Sequence, residues 1–140
     1  MAGEMMQAIE IKAFGGPEML QLCQRPRPTL SSKTILIKTA YAGVNRPDLL
    51  QRKGNYPVPK DANDLPGLEV SGQIIEIGSA VTNWKIGDRV CALCHGGGYA
   101  EYVAVDEGHA MAIPDGLDMA HAACLPETYI TVWGNLFMRG

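Results

Sequence analysis

Residues 91–95, Cys-Ala-Leu-Cys-His, gather the most potential metal ligands into the shortest run of this chain. Cys-x-x-Cys is half of a structural zinc site, and with His95 the run also spells a haem-attachment pattern. A closed zinc site needs four ligands. The chain instead passes from Cys94 through His95 and three glycines back into strand-like sequence, with no second pair following. Haem attachment calls for export and a largely helical wrapping, and neither is signalled. Cys91 and Cys94 are therefore expected to be strand cysteines packed as small hydrophobes. His109 and His121 are scattered and read as surface or locally hydrogen-bonding residues. Gly96-Gly97-Gly98 is the one dense glycine cluster, but a phosphate cradle needs amides converging at a helix start. This cluster precedes a strand and reads as a tight turn.

The elements that must position these residues are mostly short strands separated by Gly and Pro. Residues 8–14 alternate in strand fashion before Gly15-Gly16-Pro17 turns the chain, and 20–24 return as a second strand. Arg25-Pro26-Arg27-Pro28 cannot continue inside a sheet. Residues 34–41, 70–77, 89–93 and 99–105 are further β-prone runs, with Lys85-Ile86-Gly87-Asp88 as turn chemistry. Two helical pieces interrupt the pattern. Pro47–Lys53 has proline in its first turn, Asp48 near the N-terminal dipole and Gly54 as a stop. A second piece starts after Asp118 and restarts at Pro126, so that 125–138 reads as a helix. Its Ile130, Val132, Trp133, Leu136 and Phe137 need a surface to pack on: the chain's own barrel or a further domain.

At 140 residues the chain is long enough for one domain with a real core and too short for two ordinary ones. Hydrophobic and charged fractions of 46% and 19% are those of a soluble globular protein. A formal charge of −3 gives no reason to expect a nucleic-acid partner or a polybasic membrane anchor. No apolar run approaches the roughly 20 residues of a membrane span, and the start lacks a basic-then-apolar leader. The four cysteines then read as reduced thiols, and a cytoplasmic location is expected.

Five blocks carry a resemblance: GVNRPDLLQRKGNYP, LPGLEVSGQIIEIG, WKIGDRV, GGGYAEYVAV and IPDGLDMAHAACLPETYITVW. In this order they resemble the medium-chain dehydrogenase/reductase superfamily, and most of all its zinc-free NADPH:quinone oxidoreductases, notably the tumour-suppressor-inducible group. The resemblance implies a mainly β, GroES-like, partly open barrel with short helices over 1–125. Residues 126–140 would begin the connecting helix to a Rossmann dinucleotide-binding domain, which has no counterpart in these residues. In zinc-dependent relatives the catalytic ligands would fall at Asn45, Leu68 and, approximately, Glu127. An amide is a poor zinc ligand and leucine is none, so no metal site is expected.

The resemblance further implies that Asn45, Tyr56 and Thr131 lie beside the nicotinamide of NADPH, with Leu68 and Glu127 lining the space that zinc would occupy. Bland readings stand beside these: Asn45 as a helix cap, Tyr56 as a loop aromatic against Pro57 and Pro59, Thr131 as an ordinary helical threonine. Asp48, Arg52, Glu69 and Asp88 read as structural, through helix-end, ion-pair and turn contacts. No catalytic proton donor is readable. Quinones accept hydride readily, so the loss of a Lewis acid is chemically coherent. The expected function is the catalytic-domain portion of a zinc-independent NAD(P)H:quinone oxidoreductase acting on a quinone or enone. The chain alone is expected to be inactive and, with apolar surface uncovered, a homo-oligomer. The alternatives are a non-catalytic GroES-like binding module and, third, a zinc-type alcohol dehydrogenase.

Overall fold

In the computed structural model, residues 4–140 are described; residues 1–3, the first of the start read above for a leader, lie outside them. Seven strands form two antiparallel sheets. β1 (Met5–Ile11) and β2 (Leu20–Pro26) make a two-stranded sheet. β3 (Thr34–Ala42), β4 (Glu69–Ile77), β5 (Arg89–Leu93), β6 (Tyr102–Asp106) and β7 (Ala110–Ala112) make the second, in the order β6-β3-β4-β5-β7. The helices are α1 (Arg46–Arg52), α2 (Met119–Ala122) and α3 (Pro126–Trp133). The two sheets do not close into one, so the protein is mainly β and open, as the sequence leads one to expect.

The link between the sheets runs through residues 99–101. Ala8 bridges Ala100, and the Ile9 N–H donates to the Tyr99 carbonyl at 2.8 Å. The Thr39 N–H then donates to the Glu101 carbonyl at 2.9 Å. One alternating run thus serves β1 first and β3 second, and regular strand begins only at Tyr102 rather than at 99. The first strand also sits earlier than its pattern suggests, because Met5–Ile11 pairs in register with Leu20–Pro26. Contrary to the sequence expectation, Arg25 and Pro26 stay in the sheet, since a two-stranded sheet has only edge strands, where proline is tolerated. β7 is three residues long, too short to show a period.

Alternation along β3, β4, β5 and β6 builds the main core from Ile35, Ile37, Val70, Ile74, Val90, Ala92, Val103 and Val105. Each isoleucine or valine fully removed from water contributes about 1.5–3 kcal/mol before entropy is charged against it. The opposite face of β3, β4 and β5 is covered by α2 and the start of α3. Leu36, Ala122, Ala123 and Pro126 are buried there, and the Ser71 hydroxyl donates to the Met119 carbonyl at 2.5 Å. β4 is therefore buried on both faces at its start, from Glu69 through Gly72.

The terminal helix differs from a single 125–138 element. α3 ends at Trp133, and Gly134–Met138 adopts a wider π-helical turn. Its apolar side is exposed at Tyr129, Val132, Trp133, Leu136 and Phe137. Trp133 and Phe137 stack on each other with ring centroids 4.8 Å apart.

Candidate active site

Glu69 begins β4 and is only 2% exposed. Its two oxygens accept from two different helix starts. Oε1 takes the Asn45 side-chain Nδ2–H at 2.8 Å, and Oε2 takes the Glu127 backbone N–H at 2.9 Å. Asn45 is the N-cap of α1 and Glu127 lies in the first turn of α3. A helix start presents unpaired N–H groups and positive potential, so one buried acceptor facing two of them is electrostatically favourable. No basic side chain balances Glu69 among the described ion pairs. Amide donors hold it instead of the ion pair that the residue type suggested.

Asp48 is the second buried carboxylate of the cluster. Its Oδ2 accepts the Asn45 backbone N–H at 2.8 Å, and its Oδ1 accepts the Gly67 N–H at 3.2 Å. The Asn45 side-chain oxygen faces the Asp48 N–H in a capping-box arrangement, while that N–H bonds the Asn45 carbonyl at 3.1 Å. The cap position of Asn45 and its contact to the buried carboxylate thus coexist in one side chain: its oxygen faces the helix start and its nitrogen reaches Glu69.

The negative charge gathered here acts on its neighbours. Burial raises the Glu127 carboxyl above its ordinary value, and Glu69 and Asp48 raise it further. Burial likewise pushes the Tyr99 phenol upward, with Asp48 adding to it. The Tyr99 hydroxyl is buried without a hydrogen-bond partner, and its ring packs on Gly67.

Tyr56 and Leu68 are brought together elsewhere. They line a small cavity of about 50 Å³ with Val58, Pro59, His95 and Gly96. Tyr56 also faces a larger cavity of about 460 Å³ with Phe14, Gln51 and Val58. Thr131, one turn beyond Glu127 on α3, is exposed and donates its hydroxyl to the Glu127 carbonyl at 2.6 Å. Asn45 and Glu127 are joined through Glu69, whereas no hydrogen bond ties Tyr56 or Leu68 into that cluster. An apolar cavity of about 400 Å³ lies between β5, β7 and α3, lined by Cys91, Met111, Ala112, Leu125, Tyr129 and Trp133.

The three positions at which zinc would be held do not fit it. Asn45 offers only an amide, a poor zinc ligand, and donates from it to Glu69; Leu68 has no donor atom; and the single Glu127 carboxylate cannot hold the ion alone. Cys91 and Cys94 supply no alternative. Cys94 lies with Val90 and Ala92 in the main core, whereas Cys91 faces the α3 cavity. Strand alternation sends residues three apart to opposite faces. Burial pushes the Cys94 thiol up to about 12, with Glu69 adding to the shift, and burial raises Cys91 as well. Among the described residues, no group of three or more His, Cys, Asp and Glu side chains could hold one ion. His121 pairs with Asp118 at 2.8 Å on the surface, and His109 is exposed.

Glu69 and Tyr99 are the members of this buried cluster that the sequence hid. Glu69 is a carboxylate flanked by Leu68 and Val70 at the head of a strand buried on both faces, a signal visible only once that burial is known. Tyr99 resembles any strand aromatic.

Residues 31–115 match the alcohol dehydrogenase GroES-like domain. The chain is similar to the synaptic vesicle membrane protein VAT-1 homolog of Danio rerio, at 33% identity over 135 residues, covering 96% of this chain and 28% of that protein. It is similar to the quinone oxidoreductase of Rattus norvegicus at 35% identity over 136 residues, covering 96% and 41%. Among solved structures, human VAT-1 homolog-like protein superposes with a TM-score of 0.89 at 31% identity, covering 96% of this chain and 44% of that one. The quinone oxidoreductase from Coxiella burnetii superposes with a TM-score of 0.83 at 31% identity, covering 94% and 45%. The chain therefore spans less than half the length of these relatives. No helix among the described residues is long and apolar enough to cross a membrane.

Proposed function

The chain belongs to the alcohol dehydrogenase GroES-like domain family, within the medium-chain dehydrogenase/reductase superfamily, and from that premise we propose that it is the substrate-side portion of a zinc-independent NAD(P)H:quinone oxidoreductase. The observation that carries the reading is the fate of the metal positions. Asn45 and Leu68 stand where a zinc enzyme carries ligands, and the Asn45 amide is held by a buried carboxylate, Glu69, that also accepts from the start of α3. The relatives named quinone oxidoreductases support the acceptor class.

A bound nicotinamide would supply hydride, and reduction of a quinone to the hydroquinone takes that hydride and one proton. The residues of this chain then have to bind, orient and exclude water. Asn45 offers an N–H to an oxygen that gains charge, and Tyr56 offers a flat ring and a hydroxyl to the ligand. The Thr131 hydroxyl, already donating to the Glu127 carbonyl, keeps lone pairs for an incoming N–H. Leu68 and Glu127 form part of the wall. A quinone draws its driving force from its own reduction, so a hydrogen-bond donor can replace a Lewis acid.

The test is oxidation of NADPH and NADH by the longest natural form of this protein across a panel of quinones and enones. Quinone-dependent oxidation without added or bound zinc is the expected result. Absence of turnover with every quinone, or activity that requires stoichiometric zinc, would falsify the reading and favour the binding-module or alcohol dehydrogenase alternative respectively.

A further inference from the structure

We propose that Glu69 is a positioning residue for this pocket: by accepting one Asn45 side-chain N–H and the Glu127 backbone N–H, it fixes the Asn45 amide so that the second N–H is presented to a carbonyl oxygen of the ligand. The inference rests on the quinone-pocket reading and deepens it by assigning the polarity of the pocket.

A carboxylate with both oxygens accepting cannot donate, so it admits only the nitrogen end of the Asn45 amide. The amide oxygen faces the start of α1 in a capping-box arrangement, while the Asp48 N–H bonds the Asn45 backbone carbonyl. Of the two side-chain N–H groups, one is spent on Glu69, and the other has no protein acceptor among the described residues. Asn45 is half-buried, so this N–H is available to a ligand. The N–H left over is a donor, which suits an acceptor oxygen such as a quinone carbonyl.

A second observation shows that the backbone makes room for this arrangement. A Cβ at Gly43 would overlap the Glu69 carboxylate, and the Gly43 N–H donates to the Glu69 carbonyl at 3.1 Å. Glycine at 43 therefore lets Glu69 lie flat between the two helix starts. The site can accordingly be perturbed in two independent ways: Glu69→Gln keeps the volume but puts an amide N–H₂ against one of the two donors, and Gly43→Ala keeps the carboxylate but displaces it.

The experiment is amide NMR of this chain and both variants, with thermal unfolding as a folding control and duroquinone, a fully methylated quinone, as the probe. In the parent, the two Asn45 side-chain protons should be well separated, one of them slow to exchange, and duroquinone should shift the other. In each folded variant the two protons should converge, the Glu127 N–H should move upfield, and duroquinone affinity should fall at least about tenfold. Asn45 protons and affinity that stay at parental values in both folded variants overturn the positioning role. If the Asn45 protons collapse as expected but duroquinone perturbs neither Asn45 nor Glu127 in the parent, the quinone reading fails. Glu69 is then a structural tie only, which overturns the proposal by a distinguishable route.

Discussion

Two polar segments of this molecule make opposite use of similar raw material. Cys91, Cys94 and His95 lie within five residues, yet the fold separates them: Cys94 enters the core, Cys91 faces α3, and His95 is exposed near Asp61 at 3.4 Å. Asn45, Glu69 and Glu127 are separated by 24 and 58 residues, yet one carboxylate joins them at 2.8 and 2.9 Å. The first segment starts on β5 and runs just past its end, with the strand's alternation still sending Cys91 and Cys94 apart. The second lies at the ends of elements, where a strand head meets two helix starts and unpaired N–H groups need acceptors. A ligand-like spacing is informative only with the period of the element that carries it.

The largest way to break this contrast is to remove the carboxylate. Glu69→Ala leaves the Asn45 and Glu127 donors without their acceptor and should cost about 2–4 kcal/mol in urea unfolding. Loss of less than about 1 kcal/mol would mean that water replaces the carboxylate and the cluster is not dry.

Cys94→Ser tests the other region. Burying a hydroxyl among Val90, Ala92 and Val103 should cost about 1–3 kcal/mol, while zinc content stays unchanged. Zinc bound by the parent and lost in the serine variant would restore Cys91–His95 as a metal site.

A third outcome concerns nucleotide. Most contacts to a dinucleotide in this superfamily come from a Rossmann unit, so calorimetry on the 140-residue chain should detect no NADPH binding tighter than about 100 μM (about 5.5 kcal/mol). Micromolar affinity would show that the Asn45 side of the site binds cofactor on its own.

The smallest effect is on pH dependence. The folded Glu127 carboxyl is raised above its ordinary 4.5, so its protonated form favours folding. That contribution is complete below about pH 4 and is lost as pH rises through the raised folded value. Glu127→Gln should therefore raise Tm slightly near neutral pH and leave it unchanged in acid. Equal gains at both ends would point to packing rather than to the charges of Glu69 and Asp48.

Much of the scaffold is legible in the sequence. The runs 34–41, 70–77 and 89–93 became β3, β4 and β5 with ends shifted by at most one residue, because Ile, Val and Thr alternate there between clear Gly and Pro breaks. The run at 99–105 reads as a single strand, and its two-sheet role is hidden because alternation does not say which neighbour is paired. Ala110–Ala112 escaped because three small residues carry no period. In the site, Asn45 is legible as a cap because it precedes Arg46-Pro47-Asp48, whereas the meeting of Glu127 with Glu69 is not written in any local pattern.

By itself, the sequence determined the mainly β class, the cap at Asn45, and the absence of zinc donors at positions 45 and 68. These depend on residue type and local period, which are written along the chain. Only the tertiary structure decided that Glu69 is buried, that it binds two helix starts, and that Cys91 and Cys94 face apart. Those facts depend on which elements meet at the head of β4, and on Gly43 leaving space for a carboxylate that no local pattern marks.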